Sequence, residues 1–357
     1  MNKKLIAIGI AAVLAAPFAA QAGVEVYGQA RVSVDFNNNA DDNTGMEKSN
    51  MSLSDNASRL GFKGDEDLGG GNSLLWQLEE GVAFDANTAF TGRQSFVGVA
   101  GGFGTVLGGK LDTPYKTSTN SWDPFVDTKA DYNALMGGDL RTENTVAYVT
   151  PNINGFTGAI GYIFPTAGSA DDNLPMTKTE KKQNAYSLCG NYAQGPLKVA
   201  AAYEVLTKQG ATPASPGAEP DNASSWKIGA TYTIQDATTL GLIYENQDVG
   251  GEVKDHNNIY FLATHKLGDT TLKLAYTKAD KWSGTGLDQT GATQISVGAS
   301  HALTKNTEVY ALYSQISNDD SADYGLNGGP GAVVKVSGVS SDPSVLSIGI
   351  NHTFSSK

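Results

Sequence analysis

Apolar and polar side chains alternate in short stretches along almost the whole chain. Val24, Val26, Gly28, Ala30, Val32, Val34 and Phe36 fall on one side of a period-two reading, and Glu25, Gln29, Arg31, Ser33 and Asp35 on the other. That pattern predicts a strand with one apolar face. Further along, Leu60 and Phe62 oppose Arg59 and Lys63, while Leu240, Leu242 and Tyr244 oppose Glu245. Leu272, Leu274 and Tyr276 likewise oppose Lys273. The last such stretch sets Leu346, Ile348, Ile350, His352 and Phe354 against Ser347, Gly349, Asn351 and Thr353.

The connections between these stretches fall into two classes. Short turns, rich in Gly, Asn and Asp, lie at 69–71, 101–104, 152–155, 194–196, 236–238, 268–269 and 304–306. Long polar segments alternate with them at 37–56, 84–91, 112–143, 165–183, 207–224, 246–257, 279–292 and 317–343. Seven turns and eight loops make fifteen connections, hence about sixteen antiparallel strands, an even number in the range of outer-membrane barrels. Small polar residues opposite the apolar face, repeated over so many strands, suit a water-filled lumen better than the core of a soluble sandwich. The expected fold is all-β, a transmembrane antiparallel β-barrel with short periplasmic turns and long extracellular loops.

One loop stands apart. The strand Gly104 to Lys110 loses its alternation, and the stretch 112–143 that follows carries Trp122, Phe125, Tyr132, Leu135 and Met136. A loop longer than about 12–15 residues is functional or disordered as a rule, and these anchors predict order.

The ends and the composition narrow the function. Lys3 and Lys4, the apolar run Leu5 to Ala20 and the small-x-small site Ala20-Gln21-Ala22 predict a secretory signal peptide over 1–22, leaving a single barrel domain at 23–357. The chain carries 25 basic and 37 acidic side chains, for −12; losing Lys3 and Lys4 but no acid leaves −14. That acidity argues against a nucleic-acid partner, which needs basic patches. The one cysteine, Cys189, excludes an internal disulfide framework.

Enzyme chemistry finds no support. His256, His265, His301 and His352 are scattered without zinc spacing, and there is no Gly-x-Ser-x-Gly elbow. Asp35 to Asn39 begins like a calcium loop, but Ala40 and Met46 stand where the Gly and the bidentate Glu belong. Neither a cofactor nor a tight metal site is expected. The acidic run Asp319-Asp320 to Asp323 is a candidate for loose divalent-cation binding near anionic lipopolysaccharide.

Four blocks, taken together, resemble the general porins of Gram-negative type: Arg59 to Gly71, Gly92 to Val99, Phe103 to Lys110, and Asn144 to Pro151 followed by Gly155-Phe156. The resemblance runs over essentially the whole mature chain and is strongest before Phe164. It implies a trimeric sixteen-stranded barrel in the outer membrane, passing small hydrophilic solutes and ions, with its third extracellular loop folded into the lumen. Here that loop is 112–143, and Asp123-Pro124-Phe125 is similar to a family element. Two departures stand out: Gly109-Lys110 replaces the usual Gly-Arg, and Phe354 is followed by Ser355-Ser356-Lys357 instead of ending the chain.

A porin discriminates solutes at a wet constriction by width and charge. Arg31, Arg59, Lys63, Arg93 and Lys110 are the candidate basic wall, and Asp123, Asp127 and Asp131 the candidate loop acids facing it. Opposed charges across a narrow aqueous gap create a transverse field that orients polar solutes. Two other readings stay open: a substrate-specific channel with an aromatic track through Tyr115, Trp122 and Tyr132, and a secreted β-rich adhesin.

Overall fold

Backbone pairing carries the alternation around a closed ring. The computed structural model describes residues 23–38, 49–86, 90–165, 184–209, 221–249, 255–284, 287–322, 324–326 and 342–357, so the leader at 1–22 lies outside the described residues. The first strands are β1 (Glu25–Asn38), β2 (Ser49–Asp55), β3 (Arg59–Gly69), β4 (Asn72–Val82), β5 (Phe90–Gly101) and β6 (Gly104–Asp112). A short helix α1 (Pro114–Thr119) interrupts them. Then come β7 (Arg141–Val149), β8 (Phe156–Ile163), β9 (Ala185–Gln194), β10 (Leu197–Gln209), β11 (Asp221–Ile234) and β12 (Thr238–Asp248). The ring is completed by β13 (Asp255–Leu267), β14 (Thr270–Ala279), β15 (Ala292–Ala302), β16 (Thr307–Asn318) and β17 (Ser344–Ser355).

All pairings are antiparallel, and β17 returns to β1 from Tyr27 opposite Ser355 to Asn38 opposite Ser344. Among the described residues no sheet edge is left to pair with another chain. β2 and β3 both pair with β1, Val32 opposite Asp55 and Gln29 opposite Arg59. They are one stave broken at Asn56, Ala57 and Ser58, where Ala57 takes φ +59°. Counted so, the wall has sixteen staves. Several strands run on into segments that sequence reads as loop: β10 reaches Gln209, β11 starts at Asp221, and β2 occupies part of 37–56. Ladder bonds continue past the apolar band because they do not depend on which side chains face outward.

The outward face carries the alternate apolar residues. Phe36, Leu242, Leu274, Ile348 and Ile350 are exposed, while Ser33, Asp35, Glu245 and Ser347 are buried on the inside. The inside is not uniformly polar, however. Ile243, Tyr260, Leu262, Leu312, Ile316 and Val345 form one buried cluster with Phe125, Ala130, Tyr132, Leu135 and Met136 of the long loop. The loop therefore lies inside the barrel, against the inner wall of β12, β13, β16 and β17. Each such side chain contributes about 1.5–3 kcal/mol when withdrawn from water, and this apolar half-wall is the seat that holds the loop in the lumen.

Candidate functional site

The loop is built as two limbs and a tip. In the outgoing limb, Thr113 caps α1 by accepting from the Lys116 amide, and Pro114 opens the helix where its missing N–H costs nothing. The Tyr115 amide donates to Ser187 Oγ at 2.9 Å, tying the helix to β9. In the returning limb, Asp131 caps the single turn Tyr132–Ala134 by accepting from the Asn133 amide at 2.9 Å. Between them Asp127 adopts φ +59°, a conformation Asp tolerates better than most residues.

The three candidate acids have different fates. Asp127 reaches the basic wall, its Oδ2 lying 3.0 Å from Arg59 Nη2. Burial alone would raise its pKa, but the charges of Arg59, Arg93, Arg31 and Lys116 pull it below the usual carboxylate range. Asp123 turns inward, accepting from the Phe125 amide (2.9 Å), the Tyr132 amide (3.1 Å) and the Tyr260 hydroxyl (2.7 Å). Burial pushes it up to about 6 despite those donors. Asp131 accepts from the Asp127 amide at 2.8 Å, and burial together with the Asp123 charge raises its carboxyl well above the ordinary range. Asp123 and Asp131 thus face the loop's own backbone and not the basic residues. Their shared loop puts all three in one candidate set; the turn-acceptor role hinted at in Asp-x-Phe and Asp-x-Asn separates Asp123 and Asp131 from Asp127.

The five candidate bases also divide. Arg31 donates from Nη1 to the Val126 carbonyl at 2.8 Å and lies over the Tyr310 ring, 5.6 Å from its centroid. Arg59 pairs with Asp127 and donates to Gln29 Oε1 at 3.3 Å. Arg93 is locked to Glu79 at 2.7 Å, both side chains nearly fully buried, and Glu79 also accepts from Tyr27. Lys63 stands lower in the lumen, toward the short-turn end, 3.4 Å from Glu25 and away from the loop acids. Lys110 is on the other side of the wall. It lies opposite Ser95, which lies opposite the outward Leu78, and directly opposed residues share a face. It pairs there with Glu143 at 2.9 Å, beside Val146 and Phe164. Counting by twos from the inward Leu107 reaches Gly109 and the inward Leu111 and leaves Lys110 outward; the register shift beside them places its extra residue in β7, between Thr142 and Thr145.

Sequence reasoning missed a second charged knot. Asp112 accepts from Gln94 at 2.7 Å and lies 2.8 Å from Arg141 and 3.6 Å from Lys116. These residues bracket the loop at its two ends, and Lys116 and Asp112 four residues apart at a helix start were the available signal. At the loop tip the opposed charges meet as an ion pair, so no water gap separates Asp127 from Arg59. An open cleft continues beside the outgoing limb, lined by Gln94, Phe96, Asp112, Thr117, Ala147 and Cys189. Of the proposed aromatic track, Tyr115 and Tyr132 are fully buried and Trp122 packs against the apolar cluster. Among the described residues no group of three or more His, Cys, Asp or Glu side chains is placed to hold a metal ion. Asp319 accepts from the Gly291 amide at 3.0 Å, and Asp323 lies outside the described residues.

A closed sixteen-stave wall with a loop seated inside it and charges lining the remaining lumen is a channel architecture, and the family comparison agrees: residues 7–321 match the model for "Gram-negative porin". The chain belongs to the Gram-negative porin family. Outer membrane porin protein 32 of Delftia acidovorans is 29% identical to it, over 99% of this chain and 100% of that protein. Among solved structures, an anion-selective porin from Comamonas acidovorans superposes with a TM-score of 0.75 at 25% identity, covering 94% of this chain and all of the other. OmpT of Vibrio cholerae, in its trimer form, gives 0.70 at 22% identity, over 94% and 100%. The chain is an outer-membrane porin. The loop inside the barrel is the third of its long loops.

Proposed function

We propose that this porin passes small hydrophilic solutes and ions passively, without a catalytic step, and favours anions where the third loop narrows it. The observation that carries the preference is local charge. Arg31, Arg59, Arg93, Lys116 and Arg141 surround Asp127, Glu79 and Asp112, five cations against three carboxylates. A second group further toward the extracellular end, Lys129 with Asp35, Asp85 and the adjacent Asp55, is acidic and offsets that excess at the mouth, so the preference rests on the cations gathered at the loop tip. Selectivity follows the charges at the narrowest point, not the −14 of the mature chain, because charges beyond about 8–10 Å are screened in physiological salt. The anion-selective porin from Comamonas acidovorans supports the same sign.

Lys63, nearer the periplasmic end, belongs to the exit vestibule in this reading. Lys110 belongs to the outer wall, and Asp123 and Asp131 to the loop's own scaffold. Export with removal of 1–22 and assembly as a homotrimer in lipopolysaccharide-bearing membrane complete the proposal; the family resemblance and the trimeric OmpT support them. In planar bilayers, detergent-extracted heat-modifiable oligomer should insert in discrete conductance steps, and liposomes containing it should swell in small sugars and amino acids. A folded oligomer that gives neither steps nor swelling contradicts the channel reading.

A further inference from the structure

We infer that Glu245 is a positioning residue for selectivity: one buried carboxylate on β12 clamps both limbs of the third loop and so fixes the bore. This rests on the channel reading above. Glu245 Oε2 accepts from the Tyr115 hydroxyl at 2.8 Å, on the outgoing limb. Its Oε1 accepts from the Gly137 amide at 3.1 Å, on the returning limb. Asn258 Nδ2 at 2.9 Å and Gln247 Nε2 at 2.5 Å, both from the wall, fill the remaining positions on Oε1. The side chain is fully buried, so no water substitutes for these donors.

A second arm closes the same clamp. Lys227 on β11 lies 2.8 Å from Asp139, both side chains excluded from solvent, and its ammonium sits 4.1 Å from the centroid of the Tyr115 ring. Asp139 also accepts from the Tyr132 hydroxyl at 2.6 Å. The Tyr115 ring is therefore held at its hydroxyl by Glu245 and on its face by Lys227, while residues 137 to 139 close over it. Gly138 is required there. It takes φ +74°, and a Cβ at that position would come 2.7 Å from the ring. Beneath Tyr115 lies Cys189, packed in the same small cluster and almost fully buried.

That cysteine, the chain's only one, reports on the clamp. Cys189 borders the cleft beside the outgoing limb with only 6% of its surface exposed, and lifting Tyr115 off it increases the access of a reagent to the thiol. The test uses full-length porin as wild type, Glu245→Ala and Tyr115→Phe, the last keeping the ring and deleting one hydroxyl. Two readouts are taken: the rate at which a charged methanethiosulfonate reagent modifies Cys189, and the open-channel current noise.

Loss of one hydrogen bond to a charged acceptor shifts a local opening equilibrium by about ten-fold. Tyr115→Phe should therefore modify about ten-fold faster and Glu245→Ala faster still, both with noisier, more variable conductance and an intact heat-modifiable oligomer. Lys110→Ala, on the outer wall, should match wild type. An unchanged Cys189 rate and unchanged noise in folded Glu245→Ala overturn the inference. So does failure of both variants to fold, since the clamp confines their effect to the loop. Thiol modification needs no current, so a silent wild-type channel would remove the channel reading while leaving the clamp to be judged separately.

Discussion

Arg31, Arg59 and Arg93 share an inner face, yet their partners give them different work. The Arg59 to Asp127 pair is partly exposed, 22% and 27% of the two side chains, so it contributes roughly 0.2–1 kcal/mol to stability. Arg59→Gln should consequently change the lumen's field more than the fold. Arg93 and Glu79 are both nearly buried, and breaking such a pair costs about 3–5 kcal/mol. Arg93→Gln should lower the thermal midpoint of the oligomer measurably where Arg59→Gln does not; equal shifts would refute this division. The loop acids set the pH response. A carboxyl raised in the folded state, as Asp131 and Asp123 are, gains stability as pH falls through the raised value, near 6 for Asp123. Asp127 is lowered, so its contribution is complete above the unfolded carboxylate value of about 4 and is lost as pH falls below it. Thermal stability should hold or rise from pH 7 to 5, then drop below about 4, and Asp131→Asn should flatten the first limb. A steady fall from pH 7 would contradict that assignment.

The third loop shows what sequence makes legible about an element. Its length and its aromatic residues mark it as ordered, and Phe125, Tyr132, Leu135 and Met136 are indeed buried. Its seat was also written in the chain, in Leu242-Ile243-Tyr244 and Ile259-Tyr260-Phe261-Leu262, where apolar residues occupy both faces of a strand. Such runs mean burial on both sides, one against lipid and one against the loop. Which acids serve the loop's own turns was legible only in part: Asp-x-Phe and Asp-x-Asn offer turn acceptors, but whether such a carboxylate caps a turn or faces the pore is decided by the backbone around it. Lys110 enters the basic set through its Gly-Lys motif, whereas counting by twos from the inward Leu107 puts it on the outer face. Since the loop is held mainly by apolar packing, Phe125→Ala should cost about 3–5 kcal/mol of its docking and leave the sixteen staves intact. Larger or less uniform conductance from a normally heat-modifiable oligomer is the expected result, and unchanged conductance would sink it.

At the scale of the whole molecule, two surfaces answer to two solvents. The outer face meets lipid with alternate apolar residues, and the inner face divides into an apolar seat and a charged conduit on the staves of β1 and β3 to β7. The period-two pattern made the first division readable from sequence. The second arises only when the closed ring brings residues far apart in the chain to face one loop, as Arg31 meets Val126 and Tyr260 meets Asp123. Net acidity of the chain and a locally basic conduit are compatible, because a permeating ion responds to charges within about 8–10 Å and those farther off are screened. The reversal potential across a planar bilayer in a potassium chloride gradient tests this account most directly, measured for wild type, Lys110→Ala and Arg59→Gln. The account predicts chloride preference in wild type, the same value in Lys110→Ala and a reduced preference in Arg59→Gln. Potassium preference in wild type, or an equal response to both substitutions, would contradict it.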